Sequence, residues 1–248
     1  MPRKKATPPP PSGPPDLKEN KVINFYEILP NSLKPKYSNP HYKDHLLPHP
    51  MRLLCIGASG SGKTTIAITI IAKMKDTFDF IILCCENANE PLYAYLKSKI
   101  PEEQLKIHEG IENLPNFDEL DEESQILAIF DDLCLAKNQD KIKDLFIRGR
   151  KLAGGVSLMY LSQSYFAIPK VCRLNSTNVL LKKLSSMRDL NLILSDYRLD
   201  VSKEQLQKMY KECTQNFEDF FHIDVATNDD TMRFRKNFTE PLDPQQFL

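Results

Sequence analysis

A lysine and two hydroxyl side chains placed directly after a glycine-rich turn are suited to holding a polyphosphate, and one stretch of this 248-residue chain supplies them. The run Gly57-Ala58-Ser59-Gly60-Ser61-Gly62-Lys63-Thr64-Thr65 follows the apolar segment Met51 to Ile56 and leads into a segment of helical periodicity. That is the spacing of a P-loop. Gly57, Gly60 and Gly62 permit backbone angles that bring successive N–H groups into one concavity. Lys63 is then placed to reach the β- and γ-phosphates and Thr64 to offer its hydroxyl to Mg²⁺. The helix expected from Thr65 adds the positive end of its dipole. A Gly/Ser hairpin turn is the bland alternative, and the flanking strand and helix argue against it.

A second group of polar residues stands at the ends of apolar runs. Ile126 to Phe130 ends in Asp131-Asp132. A carboxylate at such a strand tip holds Mg²⁺ through its water shell, and this is the role expected of Asp131 (a Walker B position). Asp132, one residue on, is placed to orient and deprotonate an attacking water. Gln163 closes the run from Val156 and is expected to hydrogen-bond the γ-phosphate or the water and so report nucleotide state. Arg148 and Arg150 are candidates for an arginine finger on a neighbouring subunit's nucleotide, an effect worth ~10³-fold or more in rate. Simple solvation explains that basic cluster equally well, and Arg173 is a weaker competitor. His41, His45 and His49 repeat every four residues as metal ligands on a helix would, but Pro40, Pro48 and Pro50 break the helix this requires.

The elements that must position these side chains alternate along the chain. Thr65 to Lys75 reads as a helix, Phe80 to Cys85 as a buried strand and Pro91 to Ile100 as a helix with proline near its start. Residues 102–123 read as an acidic loop. A helix over Gln139 to Arg150, a strand over Val156 to Leu161 and a shorter strand over Val179 to Leu181 follow. Ser185 and Ser202 look like N-caps, Ser202 with Gln205 in a capping box. Phe220 to Val225 and Met232 to Phe234 read as a terminal β-hairpin. Such alternation specifies an α/β fold with a mostly parallel central sheet flanked by helices.

Length suits one such domain. The expected organisation is a disordered, Pro-rich basic arm over 1–20, an N-terminal extension over 21–50, the P-loop ATPase domain over 51–236 and a C-terminal tail over 237–248. Lys plus Arg and Asp plus Glu both number 33, so no global positive field marks a nucleic-acid partner. The six cysteines include no Cys-x-x-Cys pair, and several lie in apolar runs as small buried hydrophobes of a reducing compartment. No apolar run approaches the ~18 residues of a membrane span.

Two nucleotide-binding classes compete with an ATPase. Lys137-Asn138-Gln139-Asp140 has the wrong order for a guanine-reading motif, lies too close to Asp131, and Asp131 lacks the glycine three residues on that a GTPase carries. A nucleoside or nucleotide kinase shares this form of the loop and stays open, although no Arg-rich lid is present and Asp131-Asp132 with Gln163 suits water as acceptor.

The segments GASGSGKTT, ILAIFDD, RGRKLAGGVSLMYLSQSYFAIPKVCRLNS and VLLKK together resemble the viral genome-packaging ATPases of the vaccinia type, in the FtsK/HerA superfamily, including those of virophages and Polinton-like elements. The resemblance covers roughly residues 48–185 and is loose beyond Ser185. It implies a RecA/ASCE-like P-loop NTPase that binds ATP and Mg²⁺, with Lys63 and Thr64 on the phosphates and metal, Asp131 as metal-side carboxylate, Asp132 as base and Gln163 as sensor. It further implies double-stranded DNA as track, capsid proteins or a portal vertex as partners, and a homo-oligomeric ring, a pentamer or hexamer. The setting it implies is the host-cell cytoplasm or a viral factory, the virion or the nucleus. Many superfamily members carry Glu where Asp132 stands, and the family's Gly-Arg-His is Gly149-Arg150-Lys151 here. A non-hydrolysing ATP-binding scaffold for capsid assembly is a third reading. The DNA-facing loops are not identifiable from sequence, and Lys182 and Lys183 are only guesses for them.

Overall fold

The structure, a computed structural model, describes residues 22–133, 136–197 and 201–248. The basic arm expected over 1–20 and Cys134 lie outside them. The chain divides into two units, one ending at Lys36 and one running from Tyr37 to Leu248. The described part of the first holds one short helix, α1 (Phe25–Ile28), whose N-terminus is capped by the Asn24 side chain accepting from Tyr26 N.

Among the described residues of the second unit, nine strands form one sheet. They are β1 (Arg52–Ile56), β2 (Phe80–Cys85), β3 (Leu105–Glu109), β4 (Ile126–Asp131), β5 (Val156–Ser162), β6 (Asn178–Leu181), β7 (Phe221–Asp224), β8 (Phe234–Lys236) and β9 (Glu240–Pro241), in the spatial order β3-β2-β4-β5-β1-β6-β7-β8-β9. From β3 to β6 all pairings are parallel, and β6 to β9 are antiparallel. The central strands β1, β4, β5 and β6 are mostly apolar and, apart from Arg52, buried at every position, because both faces are covered. Leu53, Cys55, Ile129 and Met159 pack under α2 (Lys63–Lys73) and α3 (Pro91–Lys99). Leu54, Ile56, Phe130 and Tyr160 pack on the other face against α4 (Asp140–Arg148), α6 (Met187–Asp196) and α7 (Lys203–Cys213). Each fully buried Leu, Ile or Phe there contributes about 1.5–3 kcal/mol.

The mostly parallel sheet, the flanking helices and the terminal antiparallel pair agree with the sequence reading. Several boundaries differ. The acidic segment 102–123 contains β3, an edge strand in which only Leu105 is buried, so no apolar run announced it. The second hairpin strand begins at Phe234 because residues Asp230–Met232 form a 3₁₀ turn before it. Residues beyond 236 extend the sheet through β9. The helix N-cap is Ser186 rather than Ser185, with its hydroxyl accepting from Arg188 N and Asp189 N. The short helix α5 (Lys170–Leu174) had no periodic signal. The capping box at Ser202 and Gln205 is present as read.

Candidate active site

Parallel strands bring their C-terminal tips to one end of the sheet, and register decides which tips meet. Ile56 of β1 lies opposite Ser162 of β5 on one side and Leu181 of β6 on the other, while Asp131 of β4 lies opposite Leu161. The turn after β1, the carboxylates after β4 and Gln163 after β5 therefore share one end. α2 begins at Lys63, two residues earlier than its periodicity indicated, because Gly62 at φ +95° serves as N-cap in a conformation open to glycine. Gly57 is constrained differently. A Cβ there would stand 2.6 Å from Lys182 Cβ, so the close approach of β6, rather than backbone freedom, excludes a side chain.

Five sequence-selected residues converge. Lys63 is buried, and its ammonium donates to its own loop carbonyls, Gly57 O at 3.1 Å and Ala58 O at 3.2 Å. Thr64 Oγ1 donates to Asp131 Oδ2 at 3.0 Å. Gln163 Nε2 donates to Asp132 Oδ2 at 3.0 Å, and the other oxygen, Oδ1, is buried with no hydrogen-bond partner among the described residues. Asp132 itself adopts φ +54°, a left-handed conformation that side-chain-bearing residues take at a free-energy cost. Of the remaining loop residues, Ala58 N donates to Lys183 O at 2.9 Å, Ser61 N to Ala58 O at 3.2 Å, and Ser61 Oγ is buried and unpartnered among the described residues. Ser59, Gly60 and Thr65 are exposed, with Gly60 at φ +70°.

Asp131 carries one further partner that sequence reasoning missed. Tyr93, buried on the first turn of α3, donates its hydroxyl to the same Oδ2 at 2.6 Å. Nothing in the local sequence marks Tyr93, because its nearness to Asp131 arises from β2 and β4 being neighbours. Burial holds the Asp131 carboxyl above its ordinary range. The hydrogen bonds from Tyr93 and Thr64 and the charge of Lys63 oppose that rise, while Asp132 adds to it. Beneath the loop, burial pushes the Cys55 thiol up to about 12, so it is an inert packing group. All five described cysteines are free and buried.

The two arginines are not in this cluster. α4 runs back from the β4 tip, so Arg148 and Arg150 lie before β5, at the end of the sheet remote from the P-loop; a Cβ on Gly149 would stand 3.6 Å from Val156 O. Arg148 is committed to two carboxylates, with Nη1 and Nη2 on Asp118 and Nε on Asp144 at 2.6 Å. Arg173 lies over the Tyr165 ring and 3.4 Å from Asp196. Lys182, a guess for gripping DNA, is 3% exposed, and its ammonium donates to Phe217 O and Asp219 O. His45 and His49 serve locally, accepting from Leu47 N at 3.0 Å and lying 2.7 Å from Ser157 Oγ.

The sequence profile of the Poxvirus A32 protein matches residues 39–219, more than half of the chain. The chain belongs to this family. Its members are viral genome-packaging ATPases of the FtsK/HerA type, and the matched span contains the P-loop, Asp131, Asp132 and Gln163. No curated protein sequence matches. Among solved structures, the fold resembles B204, the DNA-packaging ATPase from Sulfolobus turreted icosahedral virus, at 15% identity and a TM-score of 0.54, covering 83% of this chain and 100% of that one. The genome-packaging NTPase B204 of Sulfolobus turreted icosahedral virus 2 in complex with AMPPCP matches at 13% identity and a TM-score of 0.53, covering 77% and 98%. The pCW3 conjugation coupling protein TcpA with ATPγS matches at 11% identity and a TM-score of 0.52, covering 80% of this chain and 62% of that one. These likenesses establish a P-loop ATPase fold. Among the described residues no helix is long and apolar enough to cross a membrane.

Proposed function

We propose that this chain hydrolyses ATP to drive double-stranded DNA into a preformed viral capsid, working as a homo-oligomeric ring of five or six subunits in the host-cell cytoplasm or viral factory. The observation that carries the reading is the paired arrangement at the strand tips. Thr64 meets Asp131 beside the P-loop, and Asp132 meets Gln163 one residue further out. The first pair suits a cation on the phosphates and the second suits a water aimed at them.

Lys63 leaves Gly57 O and Ala58 O for the phosphates of bound ATP, since an ammonium gains more from phosphate oxygens than from neutral carbonyls. Thr64 Oγ1 and the Asp131 carboxylate are hard oxygen donors of the kind Mg²⁺ takes; they would hold the ion, which would supply positive charge to offset that of the phosphates. Asp132 accepts a proton from the attacking water, and Gln163 orients its carboxylate through Oδ2. Turning the Gln163 amide toward the γ-phosphate releases Asp132, which couples nucleotide state to β5. The segment after Gln163 is tied to α6, because Asp189 accepts from Ser164 Oγ at 3.3 Å and from the N–H groups of Tyr165 and Phe166 at 3.2 Å each. A shift at Gln163 therefore reaches α6. Arg150 of an adjacent subunit serves as the finger, since Arg148 is already held by Asp118 and Asp144.

ATP turnover measured with and without duplex DNA tests this. DNA is expected to stimulate hydrolysis, with Lys63→Ala lowering it about 10²-fold or more. Absent stimulation, or an intact rate in Lys63→Ala, overturns the motor. With γ-labelled ATP, label in inorganic phosphate supports a hydrolase, and label on a nucleoside monophosphate identifies a kinase instead.

A further inference from the structure

We propose that Phe217 is the platform on which the base of the nucleotide stacks, held against the P-loop by Lys182. This rests on the nucleotide-binding reading above and concerns the part of the ligand that the loop itself does not touch. Phe217 lies in the connection between α7 and β7, which passes the P-loop on the β6 side. Its ring reaches the start of α2, where a Cβ on Gly62 would stand 3.0 Å from Phe217 Cζ. Yet Phe217 is 57% exposed, while Phe220 and Phe221, a few residues on, are 3% and 0% exposed. It is thus an aromatic ring with an edge on the phosphate loop and more than half of the residue exposed, not part of either core.

The segment that carries the ring is firmly built. Lys182 Nζ donates to Phe217 O and, at 2.8 Å, to Asp219 O, and it lies 5.2 Å from the Phe217 ring centroid. Asp219 in turn accepts from Asn237 Nδ2 at 2.8 Å and Asn216 Nδ2 at 2.9 Å, and pairs with Lys236 at 3.2 Å. By bonding the carbonyls on either side of Glu218, the Lys182 ammonium holds the ring in place.

Sheet order supplies the direction. Asp131, Asp132 and Gln163 lie on the β5 and β4 side of β1 and mark the γ-phosphate end, whereas β6 and Phe217 lie on the opposite side. A nucleotide with its γ-phosphate at Thr64 and its remaining phosphates along the loop N–H groups therefore carries its base toward Phe217. Stacking on one aromatic ring strengthens binding roughly 5- to 150-fold and reads the π-face rather than the base edges. The platform accordingly accepts adenine and guanine alike and favours either over a pyrimidine, which offers less ring area.

The chain contains no tryptophan, so Phe217→Trp places a sole indole at the site. ATP and GTP are expected to quench its fluorescence, and inorganic tripolyphosphate to compete for the site without quenching. Phe217→Ala is expected to lose roughly tenfold or more in ATP affinity while keeping its affinity for tripolyphosphate, with Phe217→Tyr restoring ATP binding. Wild-type ATP affinity in Phe217→Ala, equal losses for ATP and tripolyphosphate, or an indole that tripolyphosphate quenches as ATP does would each overturn the platform. If wild-type protein binds neither ATP nor tripolyphosphate, the phosphate site itself has failed and the platform falls with it.

Discussion

Two hydroxyl donors, from Thr64 and Tyr93, converge on a single oxygen of Asp131, and both would be left without that acceptor if the side chain were truncated. Their hydrogen bonds favour the ionised carboxylate, but burial outweighs them and raises the folded-state titration above the ordinary 3.8. Ionisation of Asp131 therefore opposes folding. The stability present while it is protonated is lost as pH rises through its folded-state titration, and above that range the protein bears the full cost. Asp131→Asn, which keeps an acceptor for the two hydroxyls, is expected to melt higher than wild type at neutral pH while losing ATP turnover. The gain should shrink as pH falls below the carboxylate range. Thermal melts from about pH 3 to about pH 8 check this, and a variant less stable than wild type at neutral pH would contradict it. A charge kept at such a site despite its cost fits a group retained for its chemistry.

At the scale of elements, α7 and the connection after it deliver Phe217 to the P-loop, and the start of α7 is set by the reciprocal bonds of Ser202 and Gln205. Ser202→Ala is expected to cost about 1 kcal/mol, read as a fall in melting temperature of ~2–4 °C for a chain of this size. An unchanged melting temperature would show that packing of Leu206 and Met209 alone sets the helix. This cap was legible because Ser-x-x-Gln is a local pattern. Ser186 was misassigned by one residue because Ser185 and Ser186 offer the same hydroxyl, and only the turn geometry chooses between them.

For the whole molecule, the parallel sheet separates Arg150 from its own P-loop by the length of the strands, so the finger role proposed for it requires an adjacent subunit. Arg150→Ala is expected to lower DNA-stimulated turnover by roughly 10³-fold. Mixing Arg150→Ala with Lys63→Ala subunits should restore part of the activity, because some interfaces then pair an intact loop with an intact arginine. Turnover retained in Arg150→Ala, or none recovered in any mixture, would remove Arg150 from the mechanism. Arg148→Ala, by contrast, frees Asp118 and Asp144 from their shared partner and acts on the α4 end of the fold.

What the sequence determined by itself was whatever depends on neighbours along the chain. The glycine-lysine-threonine turn, the carboxylates closing an apolar run, the alternation of strand and helix and the Ser202 cap all rest on residues within about one turn or one strand of each other. The tertiary structure alone decided matters of pairing between distant segments. Tyr93 reaches Asp131 because β2 lies beside β4, Gly57 must be glycine because β6 passes it, and Lys182 turns inward to Phe217 because the chain returns past the loop after α7. The same holds for β3, whose charged residues pair with β2 through backbone hydrogen bonds that no side-chain pattern encodes.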